Sequence, residues 1–172
     1  RTLISRATKS GNTLTWKRGQ DGNFTLPNFS HGAAGIGYFL ARLYEETGQQ
    51  QFLEAAQSSV NYLDSIAYTE DNTYLIPYGF PDPGWSRAFD IGWAHGPAGV
   101  ARLFYQMYKI DGDQKWLDKI ERCFNGIKLS EAMNEINPMF GEKPFTIDQR
   151  FGLASVASFC FDMYLATSET MY

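Results

Sequence analysis

Both histidines of this 172-residue chain sit in copies of one phrase. His31 stands in Ser30-His31-Gly32-Ala33-Ala34-Gly35-Ile36, and His95 in Ala94-His95-Gly96-Pro97-Ala98-Gly99-Val100. A third, decayed copy reads Arg150-Phe151-Gly152-Leu153-Ala154-Ser155-Val156, so the copies are spaced by 64 and 56 residues. Glycine after the first position lets the backbone turn sharply and pass close to its neighbours. An imidazole there stands at the mouth of a helix, where free N–H groups favour polar or anionic ligands. A helix start also lowers an imidazole's affinity for protons, which keeps it available as a base. His31 is therefore the candidate acid/base group. His95, with Trp93 and Asp90 just upstream and Arg150 in the third copy, is a candidate for lining a shared cavity. Arg150 would bring a fixed positive charge suited to a carboxylate or phosphate. Plainer readings stay open: the histidines cap and pack, and Arg150 pairs with Asp148 or Asp90.

These phrases need helices to carry them. From Ile36 the apolar positions are Ile36, Phe39, Leu40, Leu43 and Tyr44, one helical stripe. The second copy repeats it as Val100, Leu103, Phe104, Met107 and Tyr108, and the third as Val156, Phe159, Cys160, Met163 and Tyr164. Each stripe runs to a break, Thr47-Gly48, Asp111-Gly112 or Thr167-Ser168, and glycine there suits a left-handed helix end. Second stripes follow: Phe52, Ala55, Ala56, Ser59, Val60 and Leu63, then Trp116, Ile120, Cys123, Phe124 and Ile127. Each unit is thus an antiparallel helical hairpin, and the third unit reaches Tyr172 as its second helix should begin. Residues 1–28 read as an extended lead-in, with Thr13–Lys17 and Asn23–Leu26 as two short strands around a Gly19–Gly22 turn. Long loops from Ala67 to Gly92 and from Leu129 to Gln149, rich in aromatics, Pro and Gly, deliver the chain to the mouths of the following helices.

The totals exclude several classes. With 44% hydrophobic and 16% aromatic residues the chain can bury a sizeable core. A net charge of −4 without a basic run argues against nucleic acid and anionic membrane as partners. No apolar stretch approaches the ~20 residues of a membrane helix. Cys123 and Cys160 have no metal-ligand spacing and fall on apolar stripes, where buried free thiols are expected. The compartment is unknown; a cytoplasmic location is the reading kept.

The three phrases in order, with the helical register after each, resemble successive inner-helix motifs of the lanthionine synthetase C-like family, from about residue 29 to 172. The resemblance implies an all-α fold, a partial α/α toroid of about two and a half hairpins over 29–172. Other hairpins would come from flanking sequence or another chain. Family cyclases add cysteine thiols across dehydrated Ser/Thr residues at a zinc site. The family's Trp-Cys-x-Gly appears here as Trp93-Ala94-His95-Gly96, and its Cys-His-Gly as Arg150-Phe151-Gly152, so all three zinc-ligand positions are replaced. His31 matches the histidine held to act as acid/base near the metal, and His95 matches a position that is not a ligand. A catalytic zinc needs about three protein ligands, and the two histidines supply two at most. No metal site and no cofactor is therefore expected. The implied function is a zinc-less domain binding a peptide or small molecule in the central cavity, with catalysis left open. The alternative is a carbohydrate-active or glycan-binding protein on a similar toroid, using Asp82, Asp90 and Asp148 with Trp85, Trp93, Tyr74 and Tyr78.

Overall fold

A computed structural model describes residues 3–17, 24–81, 89–130, 147–150 and 152–168. The Gly19–Gly22 turn, Asp82, Trp85, Phe151 and Tyr172 lie outside the described residues, as does most of the Leu129–Gln149 loop.

Among the described residues five α-helices follow in chain order: α1 (Ala33–Thr47), α2 (Gln50–Ile66), α3 (Pro97–Asp111), α4 (Lys115–Leu129) and α5 (Leu153–Thr167). α1 with α2 and α3 with α4 form hairpins, and α3 packs between α1 and α5. The chain is an arc of an all-α toroid, with α1, α3 and α5 as equivalent inner rods. Each inner helix begins two residues after the phrase's His31, His95 or Phe151 position and runs for 15 residues. Gly48 and Gly112 close α1 and α3 in the left-handed region, at φ 65° and 68°, and each gives its N–H to a tyrosine carbonyl four residues back. In the decayed unit Ser168 takes that conformation at φ 60°, which costs a residue with a Cβ more than it costs glycine.

The second-helix stripes are buried as their periodicity predicts. Ala55, Ala56, Ser59, Val60 and Leu63 of α2 are buried, as are Trp116, Ile120, Cys123 and Ile127 of α4. Each large side chain covered in this way contributes about 1.5–3 kcal/mol before entropy is subtracted. The inner stripes diverge. Leu103 is fully buried and lies against α1 at Gly37, whereas the equivalent Phe39 is 48% exposed. α1 instead buries Ala33, Ala34, Gly37, Leu40 and Ala41, the side turned to α2 and α3. At the other flank Tyr164 is 46% exposed. Only α3 has an inner neighbour on each side among the described residues, so only there is the whole stripe covered or half-covered.

Polar ties link the inner rods. Gln106 Nε2 of α3 donates to Glu45 of α1 at 3.0 Å, with Lys109 3.4 Å from the same carboxylate. Arg102 meets Asp162 of α5 at 2.8 Å. Burial pulls the Glu45 carboxyl upward, but the Gln106 hydrogen bond and the charges of Lys109 and Arg42 outweigh it and hold it below its ordinary range.

The lead-in holds a ribbon in addition to the expected pairing, of which the antiparallel Lys17–Thr25 bridge is present. β1 (Thr8–Ser10) and β2 (Thr13–Thr15) are antiparallel, joined through Gly11 at φ 56°. Thr13 Oγ1 donates to the Ser10 carbonyl at 2.7 Å across that turn. The Ser10-Gly11-Asn12 turn sets the β1–β2 pairing, because it joins strands only two residues apart. Leu14 and Trp16 point into the core from this ribbon. Thr25 makes single bridges to Lys17 and Phe80, and its hydroxyl bonds that of Tyr62. The lead-in is thereby fastened to the first hairpin and to the loop after it.

Candidate functional site

The mouths of the three inner helices are laced together through their backbones. Ser30, Ala94 and Arg150 occupy the same place in the three phrases. The Ser30 N–H donates to the Ala94 carbonyl at 3.0 Å, and the Ala94 N–H donates to the Arg150 carbonyl at 2.9 Å. Within each copy the glycine N–H that opens the helix returns to a carbonyl four residues back: Gly32 to Asn28, Gly96 to Gly92 and Gly152 to Asp148.

This lacing demands glycine. A Cβ on Gly32 would stand 1.4 Å from the Leu26 carbonyl oxygen, and one on Gly96 2.3 Å from the carbonyl carbon of Ile91. Both neighbours are backbone and cannot swing aside. The second glycine of the phrase is replaced in the third copy by Ser155. Its hydroxyl is used between units, accepting the Trp93 N–H at 3.0 Å and donating to the Gly152 carbonyl at 2.7 Å.

The sequence candidates divide into two sets on this rim. His31, His95 and Arg150 come together. The two imidazole rings lie 5.3 Å apart, centre to centre, and Arg150 Nη2 lies 3.4 Å from His31 Nε2. A guanidinium only donates, so Arg150 is the donor side of this contact. His31 and Arg150 are exposed, whereas His95 is 1% exposed. Tyr78 backs His95 at 4.4 Å between ring centres. Asp148 does not meet Arg150 only as a possible charge partner: its Oδ1 accepts the Arg150 backbone N–H at 2.7 Å.

Asp90 and Trp93 have contacts of their own beside the rim. Asp90 is buried, and its Oδ1 accepts the Ile91 N–H at 2.8 Å, stiffening the turn into α3. Trp93 is half-buried, with its ring edge-on to Phe29 at 5.4 Å. Phe29 holds the same place in the first phrase as Trp93 in the second. Asn28, which reading by phrase missed, is fully buried and gives its Nδ2 to the Tyr78 carbonyl at 2.8 Å. The signal was present, because Asn28 and Asp148 occupy equivalent positions. Tyr74, considered above as a sugar platform, is buried in the core with its hydroxyl donated to Asp64 at 2.7 Å.

A zinc ion does not fit this donor set. Ala94 has no ligating atom and Arg150 is a permanent cation. Among the described residues no group of three His, Cys, Asp or Glu side chains could hold a metal. The thiols lie elsewhere: Cys123 is buried in α4 and Cys160 half-buried in α5, and burial pushes both thiols up, Cys123 far up.

Residues 1–140 match the model of a family described as lanthionine synthetase C-like protein. The match includes the lead-in and ends before the third phrase. A similar curated protein is glutathione S-transferase LANCL1 of Danio rerio, 29% identical over 94 residues, which is 55% of this chain and 22% of that protein. The chain thus spans about a fifth of that relative's length.

Proposed function

The chain belongs to the lanthionine synthetase C-like family, and from that premise we propose that it is a zinc-less member that binds a peptide at the shared mouth of its inner helices. One observation carries the reading. The two residues standing where the family pattern has cysteine ligands, Ala94 and Arg150, are joined backbone to backbone at 2.9 Å. The frame that would present ligands is kept while the ligands are gone.

Loss of the metal changes what the site can do with a thiol. An ordinary cysteine thiol, with a pKa near ~8.5, is only a few per cent thiolate at neutral pH. His31 as a base would offset that by roughly 10²–10⁴ in rate, which falls short of metal activation and base together. Binding is the function the residues support best, and thioether formation is not assigned. The relative's name connects it with glutathione, so a small thiol peptide of that kind is a suitable first ligand. Further hairpins of the same repeat, from flanking sequence or another chain, would seat against the flanks that expose Phe39 and Tyr164.

Metal analysis and peptide titration of the purified protein test the reading together. The expected result is less than stoichiometric zinc after growth with zinc, with peptide binding that survives His31→Ala. Stoichiometric zinc would overturn it. So would failure to bind glutathione or any member of a short-peptide panel.

A further inference from the structure

We propose that the chain docks head to tail on a second copy of itself, the open flank of α1 in one copy seating on the open flank of α5 in the other. The inference goes beyond the mouth and does not depend on what the mouth binds.

The three inner rods share one register, so the contact between neighbours repeats in equivalent positions. Positions 37, 101 and 157 are equivalent, as are 39, 103 and 159, by the spacings of 64 and 56 residues. Where α3 meets α1, Leu103 is the knob: a Cβ on Gly37 would stand 3.2 Å from Leu103 Cδ2. Both residues are buried. Where α5 meets α3 the same two positions carry Phe159 and Ala101, and both are again buried. A large residue paired with a small one lets two helices approach closely without leaving a void.

That series leaves one member over at each end. α1 carries a knob, Phe39, which is 48% exposed, and α5 carries a small residue, Ala157, which is exposed. They lie on opposite flanks of one chain, with α3 packed between α1 and α5. A second copy brings a knob to the hole and a hole to the knob.

The surroundings extend the match. On α1 the stripe turned to α3 runs Gly37, Ala41 and Glu45, one residue per turn, and its first two members are buried. The equivalent stripe on α5 is Ala157, Phe161 and Leu165, whose two large side chains are 61% and 64% exposed. Exposed apolar surface of this kind marks an interaction site. Phe39 has half-buried Ile36 and Leu43 beside it, and their equivalents in α3, Val100 and Met107, are buried against neighbours. Arg42, at the edge of the same face, is paired within α1 with Glu45 at 3.3 Å and Glu46 at 3.5 Å. Docking therefore strands no lone charge, which would be costly.

Because the two surfaces differ, each copy still offers one open flank after the other is filled. Association of this type passes beyond the dimer, to a ring where the rotation closes and a filament where it does not.

Analytical ultracentrifugation of the whole chain over a wide concentration range tests the proposal. The average mass should rise past twice that of the monomer. Phe39→Asp removes the knob and Ala157→Glu blocks the hole. Both positions are exposed, and circular dichroism checks that the helices are retained. Each variant alone should stay monomeric. Mixed in equal amounts, they should form a 1:1 dimer and nothing larger, since the mixture holds one sound knob facing one sound hole. Self-association of either variant alone would overturn head-to-tail docking in favour of a contact between like flanks. A mixture that stays monomeric would overturn it as well. So would a parent chain that is monomeric throughout, which would leave the flanks to a repeat unit of different sequence.

Discussion

Ser30 and Ala94 occupy the same place in successive repeats, and the N–H of the first donates to the carbonyl of the second at 3.0 Å. Arg150, the third equivalent residue, continues the chain of bonds through its carbonyl. Side chains 64 and 56 residues apart in sequence, at positions 30, 94 and 150, thereby share one rim. The rim's chemistry is set by which side chains those three backbones carry.

If the frame is intact and only donors are missing, returning them should return the metal. The triple variant A94C/R150C/F151H restores the family pattern of two cysteines and a histidine. It should bind zinc stoichiometrically, with release of protons from the thiols. Metal analysis and competition with a chromophoric chelator check this. A variant that folds but leaves zinc in solution would show that the backbone lacing does not bring the donors together.

The glycines of the phrase should be far less replaceable than those at the helix ends. Gly96→Ala drives a methyl group onto the Ile91 backbone and should cost about 3 kcal/mol or more. Gly112→Ala meets nothing within 4 Å and pays only for its φ of 68°, about 1–2 kcal/mol. Urea denaturation of both variants gives the comparison, and similar losses would refute this account.

At the decayed helix end the prediction is a gain. Ser168 holds the left-handed position that Gly48 and Gly112 hold elsewhere. Ser168→Gly relieves that conformation but loosens the unfolded chain. The net stabilisation should be about 0.5–1 kcal/mol, read as a higher denaturation midpoint.

Glu45 links acidity to stability. Its folded carboxyl lies below the ordinary value of 4.5. The stabilisation is therefore fully present above about pH 4.5 and is lost as pH falls through the depressed folded value. Because the side chain is 35% exposed, the contribution should be below about 1 kcal/mol. The stability difference between the protein and Glu45→Gln should shrink when denaturation is repeated from pH 7 down to pH 3. A difference that stayed constant or grew would contradict the sign.

Thiol reactivity should follow burial. Cys160 is half-buried, whereas Cys123 is fully enclosed and its thiol is pushed up further. In the native protein an aromatic disulfide reagent should label Cys160 slowly and reach Cys123 only on unfolding. Mass mapping of the labelled peptides distinguishes the two, and early labelling of Cys123 would show that α4 opens locally.

The sequence by itself determined the units: where the inner helices begin and end, which faces of α2 and α4 are apolar, and that the phrases open equivalent rods. Those features are local, since periodicity, glycine and helix ends act over a few residues. Tertiary structure decided what neighbours decide. Equivalent positions became a buried Leu103 and an exposed Phe39 because α3 lies between two inner helices and α1 has only one beside it among the described residues. Asp90 and Trp93 read as cavity residues from their place in the phrase, and only the tertiary structure adds that Asp90 accepts the Ile91 N–H and that Trp93 packs edge-on to Phe29. The Arg150–His31 contact joins side chains 119 residues apart. No spacing rule contains that distance, because it exists only once the repeats have curved round and tied their mouths together.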